Sequence, residues 1–130
     1  MKIEDYFKAI QDTIDSCGLV RLKNITYDKR GTYEGFLRGE LHFSDNSVLH
    51  FREFVDAEAT PPERLMYTYH YTDSGGQLTF RYDNTNHHKK LGLPTWPHHK
   101  HDGSEGNVIA SEAPVLGKVL EEIEPLVQLL

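Results

Sequence analysis

Apolar residues recur at helical spacing near both ends of the chain, and these two stretches predict the helices. Between residues 3 and 16 an apolar residue returns every three or four positions, and Gly18 follows as a stop signal. The second stretch begins at Ser111 and has Pro114 in its first turn, a favourable place for proline. Its apolar stripe comprises Val115, Leu116, Val119, Leu120, Ile123, Leu126 and Val127. We therefore predict one amphipathic helix at each end of the chain.

Five segments between these helices are rich in β-branched and aromatic residues and are separated by short polar connections. They cover residues 19–28, 32–43, 47–55, 65–72 and 77–83. The connection DSGG between the last two is the clearest hairpin signal in the sequence. Strands joined by such short turns pair antiparallel. The prediction is a single-domain α+β fold over residues 1–130: a five-stranded antiparallel meander sheet with an N-terminal and a C-terminal helix packed on one face.

Alternation along the strands divides their side chains between the two faces of the sheet. One face receives apolar side chains such as Leu37, Leu65 and Tyr67, on which the helices would pack. The other face, called the polar face below, receives His42, His50, Arg52, His70 and Arg81. Two interpretations of the polar face remain open. It is either an ordinary solvated face whose charges pair across strands, or a surface that binds and acts on a ligand. The abundance of Arg and His favours the second interpretation.

The net charge of −6 is unevenly distributed along the sequence. The acidic excess lies in residues 1–17 and 104–130, whereas residues 18–103 contain eleven basic and eleven acidic residues and all eight histidines. An anionic ligand, or a modest fall in pH, would make this middle part net positive. An RNA-binding face is therefore compatible with the acidic overall charge, but a broad DNA-coating surface is not.

One segment near the end of this middle part, residues 84–101, has an unusual composition. Its sequence NTNHHKKLGLPTWPHHKH contains five histidines, three lysines and the only tryptophan, with no acidic residue. Imidazole titrates near neutral pH and also binds metals, so the segment is suited to contact with anions or to proton transfer. Elsewhere the sequence offers one cysteine, Cys17, which excludes an internal disulfide and agrees with a reducing cytoplasm. No stretch approaches the roughly 20 apolar residues of a membrane-spanning helix.

Several of these motifs resemble the TumE-like proteins, which are regarded as toxins of two-gene toxin-antitoxin modules. The resemblance is carried by the runs Tyr69-His70-Tyr71, Arg81-Tyr82-Asp83-Asn84, His87-His88 and Pro97-His98-His99-Lys100-His101-Asp102-Gly103, in that order. It extends from the first helix to the last. The resemblance implies a cytoplasmic, growth-inhibiting protein that is neutralised by a cognate antitoxin. It carries over no established catalytic set, so the roles of individual residues rest on their chemistry alone.

The leading hypothesis for activity is metal-independent cleavage of RNA without a cofactor. In this reaction a general base takes the proton of a ribose 2′-OH, and a cation stabilises the charge that develops on the phosphate. His70 is the candidate acid or base, and Arg52 and Arg81 are candidate phosphate clamps. Asp83 would orient His70 or an arginine, or would instead cap the following turn.

The His-rich segment would supply the remaining groups of the site. His98 and His99, with His101 beside them, are candidates for the second proton-transfer group. Side chains that would hold flanking phosphates or stack on a base are Tyr69, His87, His88, Lys89, Lys90, Trp96, Lys100 and His101. Trp96 has an equally ordinary explanation, since it lies between two prolines and would anchor a rigid loop on the core.

Two other functions remain as alternatives. The first is a hydrolase that depends on a divalent metal, held by the histidines of this segment with Asp83 or Asp102 completing the set. Spacing argues against it, because neighbouring histidines on a strand point in opposite directions. The second is a non-catalytic binding module that grips a partner chain along an exposed edge strand. No glycine-rich strand-loop-helix motif is present to bind a nucleotide cofactor.

Two further expectations concern charge pairing and association. Glu40 is a candidate base, but a cross-strand ion pair with Arg52 would explain it as well. The apolar stripe of the last helix continues to Leu129 and Leu130, where a second copy of the chain or the antitoxin would dock. The expected partners are therefore a cognate antitoxin and RNA, with a homodimer as a further prediction.

Overall fold

A computed structural model shows an α+β fold and describes residues 1–85 and 91–127. Its elements in chain order are α1 Ile3–Asp15, β1 Val20–Lys29, β2 Glu34–Phe43, β3 Val48–Asp56, β4 Glu63–Thr72, β5 Leu78–Asp83, β6 His99–Asp102, β7 Val108–Ala110 and α2 Leu116–Ile123. A 3-10 turn, Glu124–Leu126, follows α2. The strands form one antiparallel sheet in chain order from β1 to β7. The predicted fold class and meander are confirmed.

The sheet has seven strands within the described residues, so the predicted number of five is wrong. The two extra strands, β6 and β7, lie in the part of the chain that the sequence indicated to be a loop. β6 pairs with β5 so that His99 is opposite Asp83 and His101 is opposite Arg81. β6, made of histidine, lysine and aspartate, lacks the β-branched and aromatic residues that indicate a strand, and β7 has only three residues.

The last helix begins later than predicted. Ser111 is not its first residue, because residues 111–115 are not helical and α2 starts at Leu116, after an extended Val115. Ala113, which precedes Pro114, adopts a left-handed backbone with φ 56°. A residue before proline is disfavoured in the helical region, so the sequence Ala-Pro delays the helix.

Both helices cover the same face of the sheet, as predicted. Ile10 and Ile14 of α1 share one buried apolar cluster with Val119 and Leu120 of α2. The inward side chains of β2 to β5 complete this cluster, and they are Leu37, Leu41, Phe43, Leu49, Phe51, Tyr67, Tyr69, Tyr71, Phe80 and Tyr82. Burial of this size is the main favourable contribution to folding, and it leaves the opposite face of the sheet uncovered by helices.

A buried carboxylate joins the helices to the sheet. Glu53 of β3 is fully buried and accepts hydrogen bonds from the hydroxyl groups of Tyr6 in α1 and of Tyr69, the latter at 2.6 Å. Burial raises the pKa of Glu53, although these hydrogen bonds and the charge of Arg64 oppose the change. Arg64 also donates to the carbonyl oxygens of Ala113 and Pro114 just before α2, at 2.7 and 2.8 Å.

Arg64 reaches this position because β4 contains a bulge. Val55 pairs with Arg64 and Phe54 pairs with Met66, so Leu65 is left without a partner in the ladder. The bulge turns Arg64 inward, where its guanidinium lies 4.4 Å from the ring centre of Tyr67. Leu65, which was predicted to share the apolar face with Tyr67, is instead 46% exposed. Simple alternation fails at this one position of the strand.

The close packing of α1 on β2 requires a glycine at position 35, which gives a testable prediction. A Cβ atom on Gly35 would lie 2.5 Å from Cζ of Phe7 and 2.6 Å from Cγ1 of Ile3. Gly35→Ala is therefore expected to lower the free energy of unfolding by about 1–3 kcal/mol through overpacking. Urea denaturation followed by circular dichroism measures this, with Gly18→Ala as the control because its Cβ meets nothing within 4 Å. Equal stability of the two variants would contradict the prediction.

Candidate functional site

The uncovered face of the sheet carries two parallel rows of polar side chains, each crossing several strands. The first row consists of Thr26, Arg38, Arg52, Thr68, Asp83 and His99. The second row, one pleat away, consists of Asn24, Glu40, His50, His70, Arg81 and His101. Most of these residues line an open cavity of about 790 Å³ over the sheet. This is the predicted polar face, and it brings Arg52, His70, Arg81 and Asp83 together.

Arg38 and Arg52 form an unusual pair at the middle of the first row. They are direct cross-strand neighbours in β2 and β3, and both side chains are exposed. Within residues 1–85 and 91–127, neither side chain has a hydrogen bond or an ion pair. Like charges at opposed positions destabilise a sheet. Two planar guanidinium groups side by side are, however, well suited to binding a phosphate.

Glu40 does not form the ion pair with Arg52 that the sequence allowed. Its carboxylate lies 3.2 Å from Nε2 of His42 and 3.4 Å from Nδ1 of His50. Glu40 is therefore available to orient His50, and Arg52 keeps its charge for a ligand.

Two histidines lie next to the arginine pair in the second row. His50 and His70 are cross-strand neighbours with ring centres 6.2 Å apart. Partial burial lowers the pKa of His70, and the charge of the neighbouring Arg81 lowers it further. At neutral pH His70 is accordingly an unprotonated imidazole that can accept a proton.

A buried cluster of Asp83, His99 and His101 lies where the two rows reach β6. The three side chains are 3%, 1% and 2% exposed. Nε2 of His99 is 2.7 Å from Oδ1 of Asp83. Arg81 donates from Nε to Oδ2 of Asp83 at 3.1 Å and from Nη2 to Nε2 of His101 at 3.0 Å. The donor atoms of the three residues lie within 4.8 Å of one another, which is a spacing that suits a metal ion.

Asp83 serves both of the purposes that the sequence suggested. It accepts a hydrogen bond from Arg81, and its Oδ1 accepts from the backbone and the hydroxyl group of Thr85, both at 3.1 Å. The spacing argument against a metal applied only to adjacent histidines. His99 and His101 are two residues apart and therefore share one face of β6.

Three predicted site residues lie on the opposite, helix-covered side. Nδ1 of His98 is hydrogen-bonded to the hydroxyl group of Tyr67 at 2.8 Å, and Lys100 donates to Glu122 of α2 at 3.0 Å. Burial lowers the pKa of His98, and Arg64 contributes to this. Tyr69 is fully buried, so the role of stacking on a base does not fit its position. The same alternation that brings His99 and His101 to the polar face takes His98 and Lys100 away from it.

The remaining predicted residues fall into two groups. Trp96 lies in the segment before β6 and is 37% exposed. His87, His88, Lys89 and Lys90 lie outside the described residues, as do Leu129 and Leu130. Among the helices of the described chain, none is long and apolar enough to cross a membrane.

The sequence interpretation overlooked three groups on the polar face. Arg38 lies on this face by the same alternation of β2 but was not included in the predicted site. Phe36 and Phe54 are cross-strand neighbours, both partly buried, one pleat away from the arginine pair on the same face. The alternating positions of β2 and β3 could have indicated all three residues.

These features define a class of protein: an α+β sheet protein with one helix-covered face and one open face of arginine and histidine side chains. Comparison with known families gives a more specific result. A family model described as Toxin TumE matches residues 7–127, and the chain belongs to this toxin family. The match spans all seven strands and α2, so it includes the entire polar face. No curated protein and no solved structure matches the chain. Membership implies a toxin with a cognate antitoxin as its partner.

The arginine pair leads to a prediction about anions. Replacement of Arg52 by Gln is expected to weaken binding of inorganic phosphate about tenfold, because a hydrogen bond to a charged group contributes about 1.5–3 kcal/mol. Without phosphate, the same variant is expected to melt no lower than the parent, since the repulsion from Arg38 is removed. Thermal denaturation during a phosphate titration at constant ionic strength measures both effects. Arg21→Gln, at an exposed position of the edge strand β1, is the control. An equal response of both variants would contradict the assignment.

Proposed function

We propose that this toxin is an endoribonuclease that cleaves RNA on its polar face without a metal ion, using histidines for proton transfer and arginines for phosphate binding. The main observation in support is the exposed arginine pair, Arg38 and Arg52, beside His50 and His70 in one open cavity. The proposal includes a cytoplasmic location, where RNA and the antitoxin would both be encountered.

Phosphate binding is the first step of the proposed reaction. The scissile phosphate would lie between the guanidinium groups of Arg38 and Arg52, which provide fixed N–H donors in a planar arrangement. Their positive charge would stabilise the additional negative charge of the pentacoordinate transition state. In this position the two arginines supply the charge that a metal ion supplies in other nucleases.

The two histidines would then move the protons. His70, neutral at pH 7, would take the proton of the ribose 2′-OH, and the 2′ oxygen would attack the phosphorus. The bond to the 5′ oxygen would break, and His50 would give its proton to this leaving oxygen. Glu40, at 3.4 Å from Nδ1 of His50, would orient the ring. The products would be a 2′,3′-cyclic phosphate and a free 5′-hydroxyl group.

Aromatic side chains next to the arginine pair would hold the bases of single-stranded RNA. Phe36 and Phe54 are half-buried cross-strand neighbours on the polar face, directly beyond Arg38 and Arg52. Stacking of a base on an aromatic ring contributes about 1–3 kcal/mol and tolerates any sequence. In this proposal the two phenylalanines take the stacking role that Tyr69, which is fully buried, cannot fulfil. A homodimer remains a prediction.

Cleavage of defined single-stranded RNA in excess chelator tests the proposal. We expect the parent protein to cleave and His70→Ala to be slower by at least about 10²-fold, because general base catalysis contributes roughly 10²–10⁴-fold. Thr72→Ala is the matched control, since Thr72 lies on the same strand as His70, two residues away, and does not line the cavity. Products are identified by their cyclic phosphate and 5′-hydroxyl ends.

The other outcomes of this experiment favour the alternative functions. Cleavage that requires added zinc or manganese would indicate a metal-dependent hydrolase. No cleavage with or without metal, by protein that still binds its antitoxin, would favour the non-catalytic binding module. Either result would contradict metal-independent cleavage.

The pKa of His70 gives a prediction that does not depend on activity. Burial and Arg81 lower this pKa, while Glu105 opposes the shift and His50 and His101 add to it. An NMR titration is expected to give a midpoint below 6.5, and Arg81→Gln should raise it. Because the folded pKa lies below the unfolded one, stability is complete above pH 6.5 and decreases as the pH falls towards the folded value. A midpoint above 6.5 in the parent would contradict this.

A further inference from the structure

We propose that Asp83, His99 and His101 form a binding site for one divalent zinc-class ion. This site is additional to the cleavage centre of His50 and His70 and does not depend on cleavage of RNA. The three side chains come from the neighbouring strands β5 and β6, and each is at least 97% buried. Their donor atoms lie within 4.8 Å of one another. Two imidazoles and one carboxylate are a common set of protein ligands for zinc.

The hydrogen bonds of the two imidazoles support this assignment. Nδ1 of His99 donates to the carbonyl oxygen of Pro97 at 2.9 Å, and Nδ1 of His101 donates to that of Glu105 at 2.7 Å. A carbonyl oxygen only accepts, so both Nδ1 atoms carry a proton. Each ring then directs Nε2 towards the carboxylate of Asp83. Histidines that bind metals are characteristically held in this way, with the second nitrogen bonded to a carbonyl or carboxylate.

The contact between His99 and Asp83 brings two potential ligand atoms together. Nε2 of His99 lies 2.7 Å from Oδ1 of Asp83. With its proton on Nδ1, the imidazole keeps on Nε2 the lone pair that binds a metal ion. A zinc ion would bind both, at about 2.0–2.2 Å from each, after a small separation of the side chains.

Arg81 competes with the proposed ion for the ligand atoms of Asp83 and His101. Its guanidinium donates to Asp83 and to Nε2 of His101, so it uses ligand atoms that the ion would need. Arg81 has another anionic partner, because Nη1 also donates to the carboxylate of Glu105 at 2.8 Å. Binding of the ion would release Arg81 towards Glu105 and the cavity that it already lines. Removal of the guanidinium would accordingly strengthen metal binding.

The donor set and its burial identify the kind of ion. Magnesium and calcium select sites made of oxygen atoms, whereas imidazole nitrogen favours zinc and neighbouring transition metals. The buried donors leave little room for the open coordination positions that redox catalysis uses. An ion here would join β6, which has only four residues, to β5. The expected consequence is added stability at this end of the sheet.

Zinc titration of the full chain, purified without an affinity tag and stripped with chelator, tests the proposal. Competition with a chromophoric chelator gives stoichiometry and affinity, and thermal denaturation gives the stability of each form. We expect one zinc ion per chain, a higher melting temperature with zinc, and at least about tenfold weaker binding by His99→Ala and His101→Ala. A His87→Ala/His88→Ala variant is the control, because neither residue is one of the three proposed ligands. It is expected to bind like the parent.

Three results would overturn the proposal: no zinc bound at micromolar concentration, unchanged affinity in His99→Ala and His101→Ala, or loss of binding in the His87→Ala/His88→Ala control. If the site variants do not fold, Arg81→Gln decides the question. It keeps all three donors and removes the competing cation, so zinc binding is expected to strengthen by at least about threefold. Unchanged or weaker binding by this variant would overturn the proposal. All these measurements are independent of ribonuclease activity, so a protein that cleaves no RNA can still meet them.

Discussion

The carboxylate of Glu53 is the constraint on which the arrangement of the protein depends. It is a carboxyl group in an apolar interior, where burial raises its pKa, and such a group is tolerated only when it is hydrogen-bonded and compensated. Tyr6 of α1, Tyr69 of β4 and Arg64 from the bulge provide this compensation, and Arg64 also holds the chain before α2. Satisfying one buried group thus fixes both helices on the same face of the sheet. The opposite face of the sheet remains uncovered by helices and carries the two polar rows.

The alternating geometry of strands allows one short strand to contribute to both faces. In β6, His99 and His101 extend the polar rows, while Lys100 between them forms an ion pair with Glu122 of α2. β6 is therefore held from both sides, by the buried cluster around Asp83 and by the helix. Four residues with little β propensity become a strand because spatial neighbours contact the side chains of His99, Lys100 and His101.

The long, strongly patterned elements were predictable from the sequence, and so was the polar face. Helical spacing identified α1, and period-two alternation assigned His50, His70 and Arg81 to one side. Long-range strand pairings and local irregularities of the strands were not predictable from the sequence. β6 depends on pairing with β5, the bulge at Leu65 interrupts the alternation, and Asp83 meets His99 across fifteen intervening residues of the chain. Only the register of the sheet determines these contacts, and the register cannot be deduced from residue types.

Because Arg38 and Arg52 lie opposite each other on neighbouring strands, binding of an anion to this pair is linked to the stability of the fold. The free protein retains a repulsion between two exposed cations in its central strands. An anionic partner removes that repulsion, and any ligand that binds only the folded state raises stability in proportion to RT ln(1 + [L]/Kd). Occupancy and folding are therefore coupled through the same two side chains. Loss of an anionic partner from this pair would therefore leave the folded protein less stable, so its lifetime would depend on the partner that it holds.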